Sequence, residues 1–397
     1  MRVLMLSWEY PPHIVGGLGR HVLELAPALA SRGVEVHVVT PRWAGGECLE
    51  QGTGLTVHRV DPPVEPIIDA HTTAWQTNTR LELTAADLCR EGPFDLIHNH
   101  DWLTAFAAAA LKRAFKLPLL STIHATEQGR GRGSLGSDTA RAIHSVEWWL
   151  TFESWRIVCC SQYMAQEVEG FFHAPPDKID IIPNGVSTEP FDCWEGADLE
   201  IFRNMYALPD EKVVFYVGRL VHEKGVHVLI EAAPRILAEH PEAKFVIAGT
   251  GSMLESLRAR AWSLGVGPKV LFTGFISDED RNRLYKVASC AVFPSLYEPF
   301  GIVALEAMAA RVPVVVSEVG GLQEVVTHAE TGITVYPNSA ESLAWGVNHT
   351  LAHPEWSAAR VQNAYSRVVD EYNWPSIARR TAEVYDRVAT ERAQSDW

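Results

Sequence analysis

Residues 2–40, RVLMLSWEYPPHIVGGLGRHVLELAPALASRGVEVHVVT, place a helical pattern between two short apolar runs. The runs at 3–6 and 34–40 predict strands that are buried on both faces of a sheet. The amphipathic pattern at 19–31 predicts the helix that joins them. A helix between two parallel strands crosses over with right-handed geometry, so the segment predicts an α/β fold with a doubly wound parallel sheet.

The same alternation of short strands and longer helices continues along both halves of the chain. In the first half, strands are predicted at 95–98, 119–124, 156–160 and 178–182, and helices at 102–115 and 161–172. Residues 183–186, PNGV, begin a weakly periodic stretch that we interpret as a linker. In the second half, strands are predicted at 213–217, 244–248, 270–273, 291–293, 312–316 and 332–335, and helices at 226–240, 254–264, 279–287 and 302–310. Two Rossmann-like domains with a cleft between them are expected, with ligands at the carboxyl ends of the strands.

Composition and charge exclude several classes of protein. Of the 397 residues, 47% are apolar and 21% are charged, which is typical of a folded globular chain. The net charge of −15 argues against nucleic-acid binding and against a polybasic membrane anchor. The longest apolar candidate, 103–115, is interrupted by Lys112 and Arg113 and is shorter than the ~20 residues that span a bilayer. With no secretion signal and no CxxC pair, we expect a cytoplasmic protein with reduced, buried thiols.

Two loops of the second half carry the strongest motifs. Residues 297–306, YEPFGIVALE, put Glu298 at a strand end and Glu306 further along a helix whose start offers amides to an anion. Residues 218–225, GRLVHEKG, put Arg219 and Lys224 in one loop, where both can reach a pair of phosphates. Structural explanations stay open here: Glu298 can favour the helix N-terminus, Glu306 can be solvated, and the basic residues can form surface ion pairs.

Weaker motifs follow strands of the first half. The glycine turn at 16–19, GGLG, has the spacing of neither a dinucleotide fingerprint nor a P-loop, so amides facing a phosphate or sugar and simple tight turning are both open. His98, His100 and Asp101 suggest a metal, but a metal site needs at least three converging ligands, and we predict none. His124, at another strand end, is either a packed histidine or a hydrogen-bonding site residue.

Taken together, these motifs resemble the retaining glycosyltransferases of family 4, which have the GT-B fold. The resemblance rests on the order and spacing of GGLG, PNGV, the basic loop at 218–225 and the pair Glu298-x7-Glu306, over nearly the whole chain. Residues 8–12, WEYPP, and 95–102, DLIHNHDW, are similar to the glycogen synthases and related α-glucosyltransferases.

The resemblance implies two domains that face each other across a cleft. An acceptor-side domain is expected over residues 1–190, and a nucleotide-sugar-binding domain over residues 191–373. The final segment, 374–397, resembles the helix that crosses back onto the N-terminal domain.

The resemblance also implies roles for individual side chains. Arg219 and Lys224 would neutralise the donor diphosphate, and Glu306 would accept hydrogen bonds from the ribose hydroxyls. Glu298 would orient the donor sugar and stabilise positive charge at its anomeric carbon. His124 would contact the C6 hydroxyl of that sugar.

Further contacts with the donor are implied at smaller or apolar residues. Gly17 would touch the phosphates or the sugar through its backbone, and Ile276 would line the pocket of the base. Phe300, Gly301 and Ile302 form the helix start that faces the donor.

The implied activity is retaining transfer of glucose from a nucleoside diphosphate glucose to an α-glucan or a small sugar. ADP-glucose is favoured over UDP-glucose, and no metal or other cofactor is expected. More distant alternatives are a sugar-nucleotide epimerase and a non-catalytic nucleotide-sugar binder, because fold alone does not decide function.

The chain departs from the family pattern on the acceptor side. The common His-Asp is His124-Ala125 here, and the following loop, TEQGRGRG at 126–133, is unusual. Its Arg130 and Arg132, together with Asp101, are expected on the acceptor side. The two arginines would hold an anionic acceptor such as glucose 1-phosphate, as in enzymes that make maltose 1-phosphate. A mobile, solvated loop is the alternative interpretation.

Overall fold

Two β-sheets organise the chain, which the computed structural model describes over residues 1–63 and 69–397. One unit consists of Met1–Gly185 and Trp374–Trp397, and the other of Val186–Asn373, so the division falls at Gly185 rather than at residue 190. Each unit is an α/β domain around a mainly parallel sheet. The predicted fold class is therefore confirmed.

Within the described residues, the sheet of the first unit has eight strands in the order β3-β4-β2-β1-β5-β6-β7-β8. They are β1 Arg2–Leu6, β2 Glu35–Pro41, β3 Leu49–Gly52, β4 Leu55–Val60, β5 Leu96–His100, β6 Leu119–Ile123, β7 Arg156–Cys159 and β8 Ile179–Ile181. All neighbours pair in parallel except β3 and β4, which form an antiparallel edge hairpin. Strand β1 lies at the centre with Val3–Leu6 fully buried, as expected for a strand covered on both faces.

The helices of the first unit that precede the division are α1 Gly17–Ala30, α2 Ala70–Glu91, α3 Ala105–Phe115, α4 Glu127–Arg130, α5 Asp138–Glu153 and α6 Gln162–Phe172. Helix α3 follows a 3₁₀ turn at Trp102–Thr104. Side-chain caps begin α2, α5 and α6, where Asp69, Ser137 and Ser161 accept hydrogen bonds from the backbone of the first turn.

The second unit repeats the architecture with a six-stranded parallel sheet in the order β11-β10-β9-β12-β13-β14. Its strands are β9 Lys212–Val217, β10 Ala243–Ala248, β11 Val270–Gly274, β12 Cys290–Phe293, β13 Val314–Ser317 and β14 Ile333–Val335. Its helices are α7 Glu189–Asp192, α8 Glu200–Arg203, α9 Val226–Glu239, α10 Leu254–Ser263, α11 Asp278–Val287, α12 Ile302–Ala309, α13 Leu322–Val325, α14 Ala340–Ala352 and α15 Pro354–Glu371. Strands β9 and β12 are parallel neighbours, so the loops that follow them lie at the same edge of the sheet.

The last helix, α16 Trp374–Ala393, belongs to the first unit. Its buried face, including Ile377, Tyr385 and Val388, shares one apolar core with α1 and with strands β1 and β2. The hydroxyl of Tyr385 also lies 2.7 Å from Nδ1 of His98 on β5. The predicted return of the C-terminal helix to the N-terminal domain is confirmed.

Sequence patterns did not indicate β3, β4 or α2. Every residue of β3 is exposed, so the strand has no apolar alternation to reveal it. Helix α2 buries polar residues in its apolar stripe: Asn78 donates to the carbonyls of Ala74 and Leu103 and accepts from the amide of Ala107. The presumed linker contains the short helices α7 and α8.

Two expectations about the surface have different outcomes. The thiols are free, but Cys48 and Cys193 are exposed, so the expectation that all thiols are buried was wrong. Over residues 1–63 and 69–397, none of the helices combines the length and the apolar character needed to cross a membrane.

Candidate active site

The loop after β9 is held in a defined shape beside the loop after β12. A 3₁₀ turn at His222–Lys224 ends at Gly225, which adopts a left-handed conformation with φ of 67°. The carbonyl of Glu223 accepts hydrogen bonds from the amides of Leu296 (2.8 Å) and Tyr297 (3.2 Å). These backbone bonds fix the basic loop to the segment that leads into Glu298.

Lys224 and Glu298 meet where the two loops join. Nζ of Lys224 lies 2.7 Å from Oε2 of Glu298, and the hydroxyl of Ser295 donates to the same oxygen at 3.1 Å. Glu298 is 8% exposed, so its charge is held by these two partners rather than by bulk water. The structure thus brings together two predicted residues that are 74 positions apart. It adds Ser295, which nothing in the sequence pattern marked.

Arg219 occupies the more open part of the same loop. Its side chain is 47% exposed and its Nη2 lies 3.3 Å from Oε1 of Glu223, a surface pair of small energetic value. Its carbonyl accepts a hydrogen bond from the hydroxyl of the buried Tyr216 at 3.1 Å. The backbone of Arg219 is therefore anchored while the guanidinium stays available to an anion.

Glu306 lies on α12 and is buried, so the alternative of a solvated helix residue is wrong. Tyr285 on α11 donates its hydroxyl to Oε2 of Glu306 at 3.2 Å. Nη1 of Arg281 lies 3.6 Å from Oε1. Neither Tyr285 nor Arg281 was singled out from the sequence, because the pattern of α11 indicated an amphipathic helix and no functional motif.

The start of α12 is fixed by backbone contacts and by packing of its side chains. Gly301 has φ of 106°, and the amide of Gly321 donates to the carbonyl of Glu298 at 2.9 Å. Phe300 is buried with its ring 6.1 Å from that of Tyr372. Ile302 is the first residue of the helix, whose leading amides lack partners within the helix and favour an anion.

Ile276 follows β11 and is half-buried. The preceding Phe275 is 81% exposed, which is unusual for so large an apolar side chain. Ser277 caps α11 by accepting from the amide of Asp280, so the acidic residues after it form an ordinary first turn. The exposed ring of Phe275 is a feature that the sequence motifs did not reveal.

In the first unit, Gly17 is the exposed first residue of α1. The carboxylate of Glu9 accepts hydrogen bonds from the amides of Val15 (2.8 Å) and Gly16 (3.0 Å) just before it. At Gly19, a Cβ would lie 2.7 Å from the same carboxylate. Part of the glycine turn therefore binds a carboxylate of the chain itself, and Glu9 was not foreseen.

Asp101 joins the ends of β5 and β6. Its backbone has φ of 58°, which is uncommon outside glycine and marks local strain. Its Oδ1 accepts a hydrogen bond from the amide of His124 at 2.7 Å. Burial raises the pKa of Asp101 to about 6, and the charge of Arg130 opposes that rise. Asp101 thus positions His124 directly.

His124 belongs to a buried group of imidazoles. Its Nε2 lies 3.1 Å from Nδ1 of His100, and the ring of His21 on α1 packs edge-on at 4.8 Å. Burial lowers the pKa of His124 to about 3, so the ring is neutral and suits hydrogen bonding to a hydroxyl. The prediction of no metal rested on the lack of further converging ligands beside His98, His100 and Asp101. The structure places His21, from a different element, next to His100 and His124.

The loop at 126–133 is partly ordered by buried acceptors. Glu127–Arg130 forms the short helix α4, and the amide of Glu127 donates to both carboxylate oxygens of Glu147, at 2.9 and 3.1 Å. Arg130 is half-buried, whereas Arg132 is exposed. The alternative of a fully solvated loop is therefore wrong for α4.

Glu147 allows a test of this buried arrangement through pH. Burial raises its pKa to about 8, with the negative charges of Asp101 and Glu127 adding to the rise and Arg130 opposing it. The folded state therefore keeps a proton that the unfolded chain releases near pH 4.5. Its contribution to stability is complete below that pH and is lost as the pH rises to about 8.

Glu147→Gln keeps an acceptor oxygen but cannot ionise. We expect its Tm, measured relative to that of the unsubstituted protein, to increase as the pH rises from 5 to 8.5. A gain of at least about 3 °C is expected, the effect of roughly 1 kcal/mol in a domain of this size. The measurement is thermal unfolding across pH. The buried histidines are present in both proteins, so their effect on Tm cancels when the two Tm values are subtracted. Glu82→Gln, at an exposed site on α2, is the matched control. Parallel curves for Glu147→Gln would show that Glu147 is ionised when folded.

Comparison with known proteins decides the family. The model of Glycosyltransferase Family 4 matches residues 15–190, and the model of Glycosyl transferases group 1 matches residues 199–367. The chain is 37% identical to a glycogen synthase of Mycobacterium tuberculosis over 97% of this chain and 94% of that protein. The chain belongs to glycosyltransferase family 4.

Two further comparisons extend over nearly the whole chain. An uncharacterized glycosyltransferase of Methanocaldococcus jannaschii is 42% identical over 97% of this chain and 98% of its own. The structure of a sucrose-phosphate synthase from Thermosynechococcus elongatus superposes with a TM-score of 0.83 at 26% identity, covering 98% of this chain and 99% of that one. The resemblance to family 4 and the GT-B fold predicted from the sequence are confirmed.

Proposed function

We propose that this chain is a retaining glucosyltransferase that moves glucose from a nucleoside diphosphate glucose to an α-glucan or a small sugar. ADP-glucose is the donor we favour over UDP-glucose, and a cytoplasmic location is part of the proposal. The observation that carries it is the 2.7 Å contact between Lys224 and Glu298, which sets a cation for the diphosphate beside a carboxylate for the sugar. The similarity to a glycogen synthase supports the choice of acceptor.

In the second unit, the donor is held mainly by charge. Arg219 and Lys224 bind the diphosphate, one through a planar fork and the other as a compact ammonium. The Lys224 ammonium has further N–H donors for phosphate oxygens while one is bonded to Glu298. Glu306, positioned by Tyr285, accepts hydrogen bonds from the ribose hydroxyls.

Several less polar groups complete the recognition of the donor. Phe300, Gly301 and Ile302 present the start of α12 to the phosphates, and Ile276 lines the pocket of the base. In the first unit, Gly17 contributes backbone contacts and neutral His124 bonds the C6 hydroxyl of the sugar.

The chemistry follows from the charges of these groups. A nucleoside diphosphate leaves as a stable anion, so no carboxylic acid has to protonate it as in a glycosidase. Arg219, Lys224 and the helix start stabilise the charge on the departing oxygen, and Glu298 stabilises the positive anomeric carbon. Attack by the acceptor hydroxyl from the face that the diphosphate leaves retains the anomeric configuration, and the proton of that hydroxyl passes to the departing phosphate oxygen. Because side chains supply the positive charge, the proposal includes no metal cofactor.

A second acceptor class is favoured by the position of Arg130. Its charge acts on Asp101, its Nη1 lies 3.4 Å from Oε2 of Glu127, and Arg132 follows on the exposed side of the turn. Two guanidinium groups in one short loop, of which that of Arg130 acts on Asp101, suit a sugar phosphate. Glucose 1-phosphate would then accept the glucosyl group, and maltose 1-phosphate would be the product.

An assay that crosses donors with acceptors tests these proposals. ADP-glucose and UDP-glucose are each incubated with glycogen or with glucose 1-phosphate, with and without EDTA, and nucleoside diphosphate and product anomer are measured. We expect ADP release that depends on glycogen, an α-linked product and no loss in EDTA. Dependence on glucose 1-phosphate would select the second acceptor. Release that needs no acceptor, or loss in EDTA that a metal restores, would refute the proposed reaction.

A further inference from the structure

Three imidazoles converge at the carboxyl edge of the sheet of the first unit. His21 comes from α1, His100 ends β5 and His124 follows β6. One ring nitrogen of each lies within 4.8 Å of the others. His21 and His100 are 4% and 0% exposed, while His124 is half-buried and forms the open side of the cluster.

The hydrogen bonds of the rings leave two buried nitrogens without partners within the described residues, and one of them is a bare lone pair. Nδ1 of His21 lies 2.7 Å from Oδ1 of Asn184, an atom that only accepts, so Nδ1 carries the proton and Nε2 is a bare lone pair. Among the described residues, Nε2 of His21 and Nε2 of His100 are buried without a hydrogen-bond partner. A buried lone pair without a partner costs free energy, and an ion bound to Nε2 of His21 would recover it.

The neighbouring His98 differs from the three. Its Nδ1 lies 2.7 Å from the hydroxyl of Tyr385, and its Nε2 lies 2.7 Å from Oγ1 of Thr122. His98 is therefore satisfied inside the protein, whereas His21 and His100 of the converging set each keep one buried nitrogen without a partner in the part of the chain that the structure describes.

We propose that His21, His100 and His124 form a binding site for a divalent metal ion that prefers imidazole ligands, such as Zn²⁺. Two nitrogens on one tetrahedral Zn²⁺ are about 3.3 Å apart, given Zn–N bonds of about 2.0–2.1 Å. The 3.1 Å between Nδ1 of His100 and Nε2 of His124 is close to that spacing. The third ring has to approach by about 1.5 Å to complete a three-histidine site with water as the fourth ligand.

Protonation and orientation both suit this ion. Burial keeps the pKa of His21, His100 and His124 below the usual range, so neutral rings face the site at neutral pH. The ion takes the place of the proton shared by His100 and His124, and one of these two rings moves that proton to its other nitrogen, so none is released. Asn184 accepts the hydrogen bond from Nδ1 of His21 and so fixes the orientation of that ring, as the hydrogen-bond partners of metal-bound histidines do.

Direct binding of Co²⁺ and Zn²⁺ tests the site without reference to activity. We expect the unsubstituted protein to show the absorption of four-coordinate Co²⁺, saturating at one equivalent and displaced by Zn²⁺. His21→Gln and His100→Gln should each lose that equivalent. His349→Gln, which removes a half-buried histidine of the second unit, should keep it. Asn184→Ala keeps all three ligands and should weaken binding by about 10–100-fold.

The outcomes separate the metal site from the proposed function. Absence of the Co²⁺ absorption in the unsubstituted protein, or its persistence in His21→Gln or in His100→Gln, would overturn the site. Since His124 is the proposed contact of the donor sugar, Zn²⁺ should also inhibit transfer, and His21→Gln should relieve the inhibition. That second effect rests on the proposed function. A protein that binds the ion but transfers no sugar would refute the function and leave the metal site standing.

Discussion

Lys224→Ala and Arg219→Ala are each expected to lower kcat about 100-fold, the usual effect of removing one group that stabilises charge in the transition state. Both residues lie in the loop after β9, and the charge that they would stabilise develops on the departing diphosphate. For Lys224 the loss has a second component, because the substitution removes the cation that is bonded to the buried Glu298 and, within the described residues, leaves Ser295 as its side-chain donor. The measurement is steady-state kinetics with the donor and acceptor that the assay identifies.

Comparing the two variants separates the loss of positive charge at the diphosphate from a loss of protein stability. Arg219 is half exposed and forms a surface ion pair with Glu223, so Arg219→Ala should leave Tm unchanged while kcat falls. Lys224→Ala should lower both. Lys244→Ala is the matched control in the same unit, because Nζ of Lys244 donates to the backbone carbonyl of Pro268 and forms no side-chain ion pair within the described residues. A near-normal kcat in either site variant would remove that residue from the mechanism.

The alternation of apolar runs and helical patterns was sufficient to predict the two sheets. The run at 3–6 became β1 and the run at 213–217 became β9, both central strands whose side chains are almost entirely buried. A strand covered on both faces must be apolar along its whole length, so the sequence carries a clear signal. β3 has no such requirement, since it lies at an edge with every residue exposed, and it gave no signal.

The site was predictable where a loop motif follows a central strand. Arg219, Lys224 and Glu298 stand directly after β9 and β12, and parallel neighbours bring their carboxyl ends to one edge. Their partners were not predictable. Ser295, Tyr285 and Glu9 act through single hydrogen bonds whose geometry depends on turns and helix rotation. A one-dimensional pattern does not encode that geometry.

The missed third histidine shows the same limit. His98 and His100 alternate along β5, and this pattern drew attention to both rings. The structure satisfies His98 and pairs His100 with His124, while His21 arrives from α1, nearly 80 residues earlier in the chain. Convergence of ligands from separate elements is a property of packing, and residue spacing reveals it only within one element.

Gly225→Ala is expected to destabilise the protein much more than the same change at Gly265. Both glycines have left-handed backbones, with φ of 67° and 75°, so both substitutions incur the roughly 1–2 kcal/mol cost of that conformation. At Gly265 an added Cβ meets nothing within 4 Å. At Gly225 it would lie 1.9 Å from the carbonyl oxygen of Pro294, a backbone atom next to Ser295. Urea midpoints of the two variants, measured against the unsubstituted protein, isolate the overlap from the conformational cost.

The overlap at Gly225 can be relieved only by moving Pro294 away from the basic loop. That movement would pull on the amides of Leu296 and Tyr297, which donate to Glu223, and would separate Lys224 from Glu298. We therefore expect Gly225→Ala to cost at least about 2 kcal/mol more than Gly265→Ala, in the range of substitutions that force strain on a packed backbone, and to lose most of its transfer activity. Equal midpoints with full activity in both variants would mean that the two loops are not held together by this close backbone approach. In that case, the placement of Lys224 beside Glu298 would depend on their ion pair alone.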